Sequence, residues 1–203
     1  MINDETKVLH SKALNLSYFT VGYNIIECIV SIISGFIAGS TALLGFGSDS
    51  LVESLSGTIM IWRFRKHGFI SKDDEDEIEK KATFFVGITF FIFGIYILYE
   101  SLRKLIIVEK PEPSIVGIII AIASIIVMPI LFYLKYKTGK SIGSKSLIAD
   151  SKQTLACLFM SVSLLIGLGL NYLFEFWQAD PIVGLIIVVF LFKEGYEIIF
   201  EDE

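Results

Sequence analysis

The sequence predicts an all-α polytopic membrane protein with six transmembrane helices, and three observations predict it. Mean hydropathy is +0.69. Of the 203 residues 54% are hydrophobic and only 19% charged, where a soluble domain carries about 25% charge. The charges also gather in short blocks, and the apolar runs between them are roughly 20 residues long, enough to cross about 30 Å of hydrocarbon at about 1.5 Å per residue. A soluble core does not repeat such a run six times.

In chain order the runs predict spans at about 15–38, 42–62, 82–102, 114–134, 146–170 and 180–199. They are separated by Gly39-Ser40, the charged stretch 63–81, Lys110-Pro111-Glu112-Pro113, the stretch 135–145, and the stretch 171–180 leading into Pro181. Proline suits a helix's first turn, where its missing N–H would be unpaired anyway. Pro129 lies inside the fourth span and is expected to kink it. The stretch before the first span is polar and carries no small-residue cleavage site, so it does not read as a signal peptide. The connections are short, so residues 1–203 read as one transmembrane domain without a soluble domain. Cys28 and Cys157 both fall in apolar runs and do not form a secreted disulfide framework.

Lys and Arg counts predict orientation. Thirteen fall on the side shared by the termini, including Arg63, Lys135 and Lys193, against Arg103, Lys104 and Lys110 opposite, with Lys152 inside a span. Both termini are therefore expected in the cytoplasm. Trp62 and Trp177 fall at opposite interfaces, where indole rings settle. The net charge of −5 says little about partners, and no nucleic-acid partner is expected.

Ionisable groups within spans are expensive, about 2.5–3.5 kcal/mol each on insertion scales, and mark function. Glu27, Glu53 and Cys157 each lie about halfway along their spans, so all three reach the midplane. Asp49 and Glu53 stand at i and i+4, on one helix face. Asn24 and Glu27 are at i and i+3; Asp150, Gln153 and Cys157 are at i, i+3 and i+7. Two close carboxylates in a low dielectric bind a proton or cation to relieve their repulsion. Asp, Glu and Cys are ordinary zinc ligands, and a thiolate shifts preference toward softer metals.

Each residue also has a plainer reading. Glu27 can be an interhelical hydrogen bond, Asp49 and Glu53 a structural pair, and Asp150 a cap or a partner of Lys152. Cys157 can be a packing residue, the only reading open to Cys28. Gly35, Gly39 and Ser40, with Ser48, Ser50, Ser54 and Gly57, read as close helix packing. The acidic run 73–79 reads as a solvated loop or helix start, or as a funnel for cations.

The stretch AGSTALLGFGSDSLVESLSG (38–57) resembles the second-span signature of the cation diffusion facilitator family. LIADSKQTLACLF (147–159) resembles that family's fifth span and ADPIVGL (179–185) the start of its sixth. The resemblance implies a six-helix homodimer that exchanges a divalent metal against protons by alternating access. It implies Asp49 and Glu53 as metal ligands, with Gln153 and Cys157 at the positions of the usual His (or Asp) and Asp. That departure leaves Glu27, Asn24 and Asp150 to supply what is missing. The family's C-terminal cytoplasmic domain has no counterpart here, so the chain reads as a short subgroup.

The expected function is transport of a divalent transition metal, most simply zinc efflux across the cell membrane by proton antiport, with cadmium, iron and manganese as further cargo. No prosthetic group is expected. A non-transporting membrane subunit or scaffold is the other reading. Enzyme chemistry is not expected: no Ser/His, paired catalytic Asp or HExxH pattern occurs, and neither His10 nor His67 falls in a predicted span.

Overall fold

The computed structural model describes residues 4–66 and 72–200. Its six helices are α1 (Asp4–Ala38), α2 (Thr41–Lys66), α3 (Lys72–Ile107), α4 (Ile115–Ile142), α5 (Lys145–Phe174) and α6 (Ala179–Phe200). All six predicted runs are helical, and most extend past the apolar stretch. Among the described residues three helices, Val8–Ala38, Ile115–Ile142 and Ser146–Phe174, are long and apolar enough to cross a membrane. The serines and glycines of α2 and the charges of α6 dilute those two helices. The side chains of the acidic run 73–79, and His67, lie outside the described residues.

Helix ends are set by local chemistry. Gly39, at φ +60, ends α1: Ser40 N–H donates to Gly35 C=O at 2.9 Å and Gly39 N–H to Phe36 C=O at 3.4 Å. This paired closure uses the left-handed conformation glycine adopts at little cost. Ser40 Oγ then accepts from Leu43 N–H at 3.0 Å and opens α2. Gly143, at φ +68, closes α4 in the same way, and Ser144 caps α5. α4 continues through Pro129.

The packing is polar inside and apolar outside. On α1, Ser17, Thr20, Asn24, Glu27 and Ser31 are all fully buried, spaced by three and four residues as one face of a helix requires. Ile25, Ile26, Ile29, Ile33, Phe36 and Ile37 of the same helix are exposed. A water-soluble helix shows the reverse, so this surface suits hydrocarbon. α1 packs mainly on α2, α4 on α5 and α3 on α6. Small residues permit the approach, as expected: a Cβ on Gly35 would meet Leu44 at 3.0 Å, on Gly47 Ile32 at 2.9 Å and on Gly57 Val21 at 2.7 Å.

On α2 the hydroxyls mostly turn back on their own helix. Ser48, Ser54 and Thr58 donate to the carbonyls of Leu44, Ser50 and Ser54, each at 2.8 Å. The start of α2 is also tied to α6, where fully buried Asp180 accepts from Thr41 N–H at 2.9 Å, from Thr41 Oγ1 at 3.1 Å and from Ser40 Oγ. Buried Lys104, at the end of α3, donates to Gly39 C=O.

One expectation needs correction. The sequence pattern places Lys135 in the connection 135–145, but α4 runs on to Ile142 and Lys135 lies within it, fully buried. It finds its partners on other helices. It does not count as a loop lysine in the charge asymmetry.

Candidate metal centre

The α2 acids and the α5 thiol converge. Asp49, Glu53 and Cys157 each offer a ligand atom within 4.8 Å of the others, and all three are buried. The i, i+4 spacing puts both carboxylates on the α2 face toward α5. Among the described residues Oδ2 of Asp49 and Oε2 of Glu53 have no well-formed hydrogen bond. Asn24 of α1 lies beside Glu53, near enough for a long hydrogen bond to it, and among the described residues neither its Oδ1 nor its Nδ2 makes a well-formed one. Buried polar atoms are nearly always paired. Unpaired oxygens from three residues beside a thiol form a donor set suited to a small cation, with the oxygen and sulfur ligands zinc takes.

Gln153 is half-buried, and among the described residues no hydrogen bond joins it to the acid pair. The α5 residue that reaches Glu53 is its neighbour Thr154, whose Oγ1 donates to Glu53 Oε1 at 2.7 Å. Asp150, Thr154 and Cys157 are the buried residues of this stretch that face the acids.

Asp150 pairs neither as a cap nor with Lys152, which is exposed. Its Oδ2 lies 2.9 Å from Lys135 Nζ. Lys135 also donates to Thr154 Oγ1 at 2.9 Å and stands 3.8 Å from Glu53 Oε1. A buried ammonium needs opposite charge and hydrogen-bond acceptors in contact, and this one has both.

Glu27 has hydroxyl partners. Ser50 Oγ of α2 donates to its Oε2 at 2.8 Å, Ser124 Oγ of α4 donates to its Oε1, and Tyr23 OH bonds Ser124 at 3.0 Å. The carboxyl thus ties three helices together, as the interhelical hydrogen-bond reading expected.

Sequence reasoning missed Lys135, Thr154, Ser124 and Glu194. Glu194, buried on α6, is close enough to Asp49 and Glu53 to interact electrostatically with both. Lys135 stands where the apolar run ends and further lysines follow, so its burial carries no signal in the sequence.

Residues 17–202 match the cation efflux transmembrane domain. The chain belongs to this family. It is a membrane protein of a cation-efflux family, which agrees with the resemblance read from residues 38–57, 147–159 and 179–185. Among its relatives, Transmembrane protein 163 of Xenopus laevis is 24% identical over 97% of this chain and 69% of that protein. An uncharacterized transporter of Methanocaldococcus jannaschii is 27% identical over 86% of this chain and 63% of its own length. A cadmium, cobalt and zinc/H(+)-K(+) antiporter of Bacillus subtilis is 22% identical over 93% of this chain and 61% of its own length. The chain thus spans about two thirds of the length of these relatives.

Proposed function

We propose that this chain carries a divalent transition-metal ion, most simply zinc, across the cell membrane in exchange for protons. The cluster of Asp49, Glu53 and Cys157, with its unpaired oxygens and buried Asn24 alongside, is the observation that carries the reading. In this proposal Asp49 and Glu53 supply charge, Cys157 supplies a soft ligand and Asn24 Oδ1 a neutral one. Gln153 stands at the rim, and Asp150 and Glu27 shape the surroundings. All six helices span the bilayer, with both termini cytoplasmic, and two copies form the working unit.

The donor groups are fully buried, so a path must open to one side at a time, which is alternating access. Proton coupling follows from the ligands. Metal displaces protons from carboxylates and thiol, so a lower pH on one side favours release there. The names of relatives that move cadmium, cobalt and zinc support the same cargo class.

The test is purified protein in liposomes, with zinc, cadmium, iron(II) and manganese uptake followed with and without a pH gradient. Zinc or cadmium uptake that depends on the gradient is expected. Transport of none of the four would favour a membrane scaffold instead.

A further inference from the structure

The geometry points to Lys135 as a tethered internal cation that competes with the transported metal for Glu53. The inference rests on the metal-site reading above and goes beyond it. Lys135 is fully buried, and its Nζ reaches Asp150 Oδ2 and Thr154 Oγ1 at 2.9 Å each, with Glu53 Oε1 at 3.8 Å. Thr154 in turn donates to that same Glu53 oxygen. One oxygen of Glu53 is therefore committed to the Lys135 side, while among the described residues Oε2 makes no well-formed hydrogen bond and the carboxyl faces Asn24 and the Asp49–Cys157 cluster.

Glu53 thus faces two cationic positions. When a divalent ion sits among Asp49, Glu53 and Cys157, its charge repels the nearby ammonium across a medium that screens poorly. Asp150 is placed to hold the lysine as it moves off Glu53, since its Oδ2 already lies 2.9 Å from Nζ. When the metal leaves, the ammonium returns toward Glu53 and offsets the buried carboxylate charge. Lys135 therefore speeds metal release and keeps the empty carrier from exposing uncompensated acids to the low-dielectric interior. Asp150 acts through Lys135 and is a positioning residue.

Zinc binding to detergent-purified protein, measured by calorimetry at fixed pH, tests this. Lys135→Gln is expected to tighten zinc binding by about tenfold or more, the scale on which groups beside a metal site act. Lys135→Met serves as a second variant, filling the space without burying an amide. Asp150→Asn is expected to weaken binding about tenfold in the native background, because the unparked ammonium then leans on Glu53. In the Lys135→Gln background the same change should cost less than about threefold, because coupled residues are not additive.

Unchanged or weaker affinity in the folded Lys135 variants overturns the inference. So does an equal Asp150→Asn loss in both backgrounds, which would mean that Asp150 acts on the metal directly. If native protein and all variants bind no divalent ion, the metal-site reading fails and takes the inference with it. That result is distinguishable, because native binding is then absent from the start.

Discussion

Asp180→Ala is the most severe single test of how the site is held in place. The Asp180 carboxylate accepts from Thr41 N–H, Thr41 Oγ1 and Ser40 Oγ, binding the first turn of α6 to the start of α2. Two turns further along α2 stands Asp49. Hydrogen bonds to a charged acceptor contribute about 1.5–3 kcal/mol each, and an anion at a helix N-terminus adds up to about 2 kcal/mol. Removing the carboxylate also removes the cost of burying it, so the net loss is about 3–5 kcal/mol, typical of a broken buried charged network. For a chain of this size each kcal/mol lowers the melting temperature by about 2–4 °C. The Ala variant should therefore melt roughly 6–20 °C below native protein. Asp180→Asn keeps one carbonyl for Thr41 N–H and should lose less than half as much. Heating detergent-purified protein while following Trp62 and Trp177 fluorescence measures both; Trp177 stands three residues before the substitution. An Ala variant within about 2 °C of native, or an Asn variant melting below it, would refute the argument.

Four further outcomes are expected. Asp49→Asn and Glu53→Gln keep shape but remove charge, so each should abolish zinc uptake in liposomes while inserting normally, because neutral residues insert more easily. Retained uptake by the double variant would end the metal-site proposal. Cys157→Ser should lower cadmium and zinc affinity more than manganese affinity, since thiolate favours the softer ions, and equal losses for all three would remove the thiol from the ligand set. Metal binding displaces protons from Asp49, Glu53 and Cys157, so calorimetric zinc affinity should fall as pH falls; a flat profile would contradict direct ligation by these groups. Glu27→Gln should leave zinc affinity within about threefold, because Ser50 and Ser124 hydroxyls can each donate or accept. A loss above about tenfold would return Glu27 to the ligands.

Much of this architecture was legible because it is local. The apolar runs and the Gly39-Ser40 break marked the helices from the sequence, whereas the caps at Ser144 and Gly143 emerge only with the backbone. Helix lengths were less legible. Backbone hydrogen bonding does not stop where side chains cease to be apolar, so α1 begins at Asp4 and α4 runs on to Ile142. The acid pair was readable from its i, i+4 spacing and its depth.

The rest depended on tertiary contacts. Lys135 stands beside Lys137 and Lys140 in sequence, which suggests a loop, and only Asp150, Thr154 and Glu53 explain its burial. Whether Gln153 or Thr154 meets Glu53 is a matter of one residue, about 100° of helix rotation. Spacing alone does not fix a helix's rotation that finely.

The hydroxyls of α2 have a mechanical consequence. Ser48, Ser54 and Thr58 satisfy themselves on carbonyls one turn back, so these positions demand nothing from the helices beside them. A helix that keeps its polarity to itself presents a bearing surface: it can roll or slide against α1 without stripping hydrogen bonds from either partner. The attachments that resist such movement are few. Among the described residues they include the Asp180 clamp at one end, Ser50 on Glu27 and the Thr154–Glu53 contact near the middle, and Arg63 on Ser146 at the other end. Motion of α2 is therefore governed at those points, and three of them rest on a buried acid: Asp180, Glu27 and Glu53.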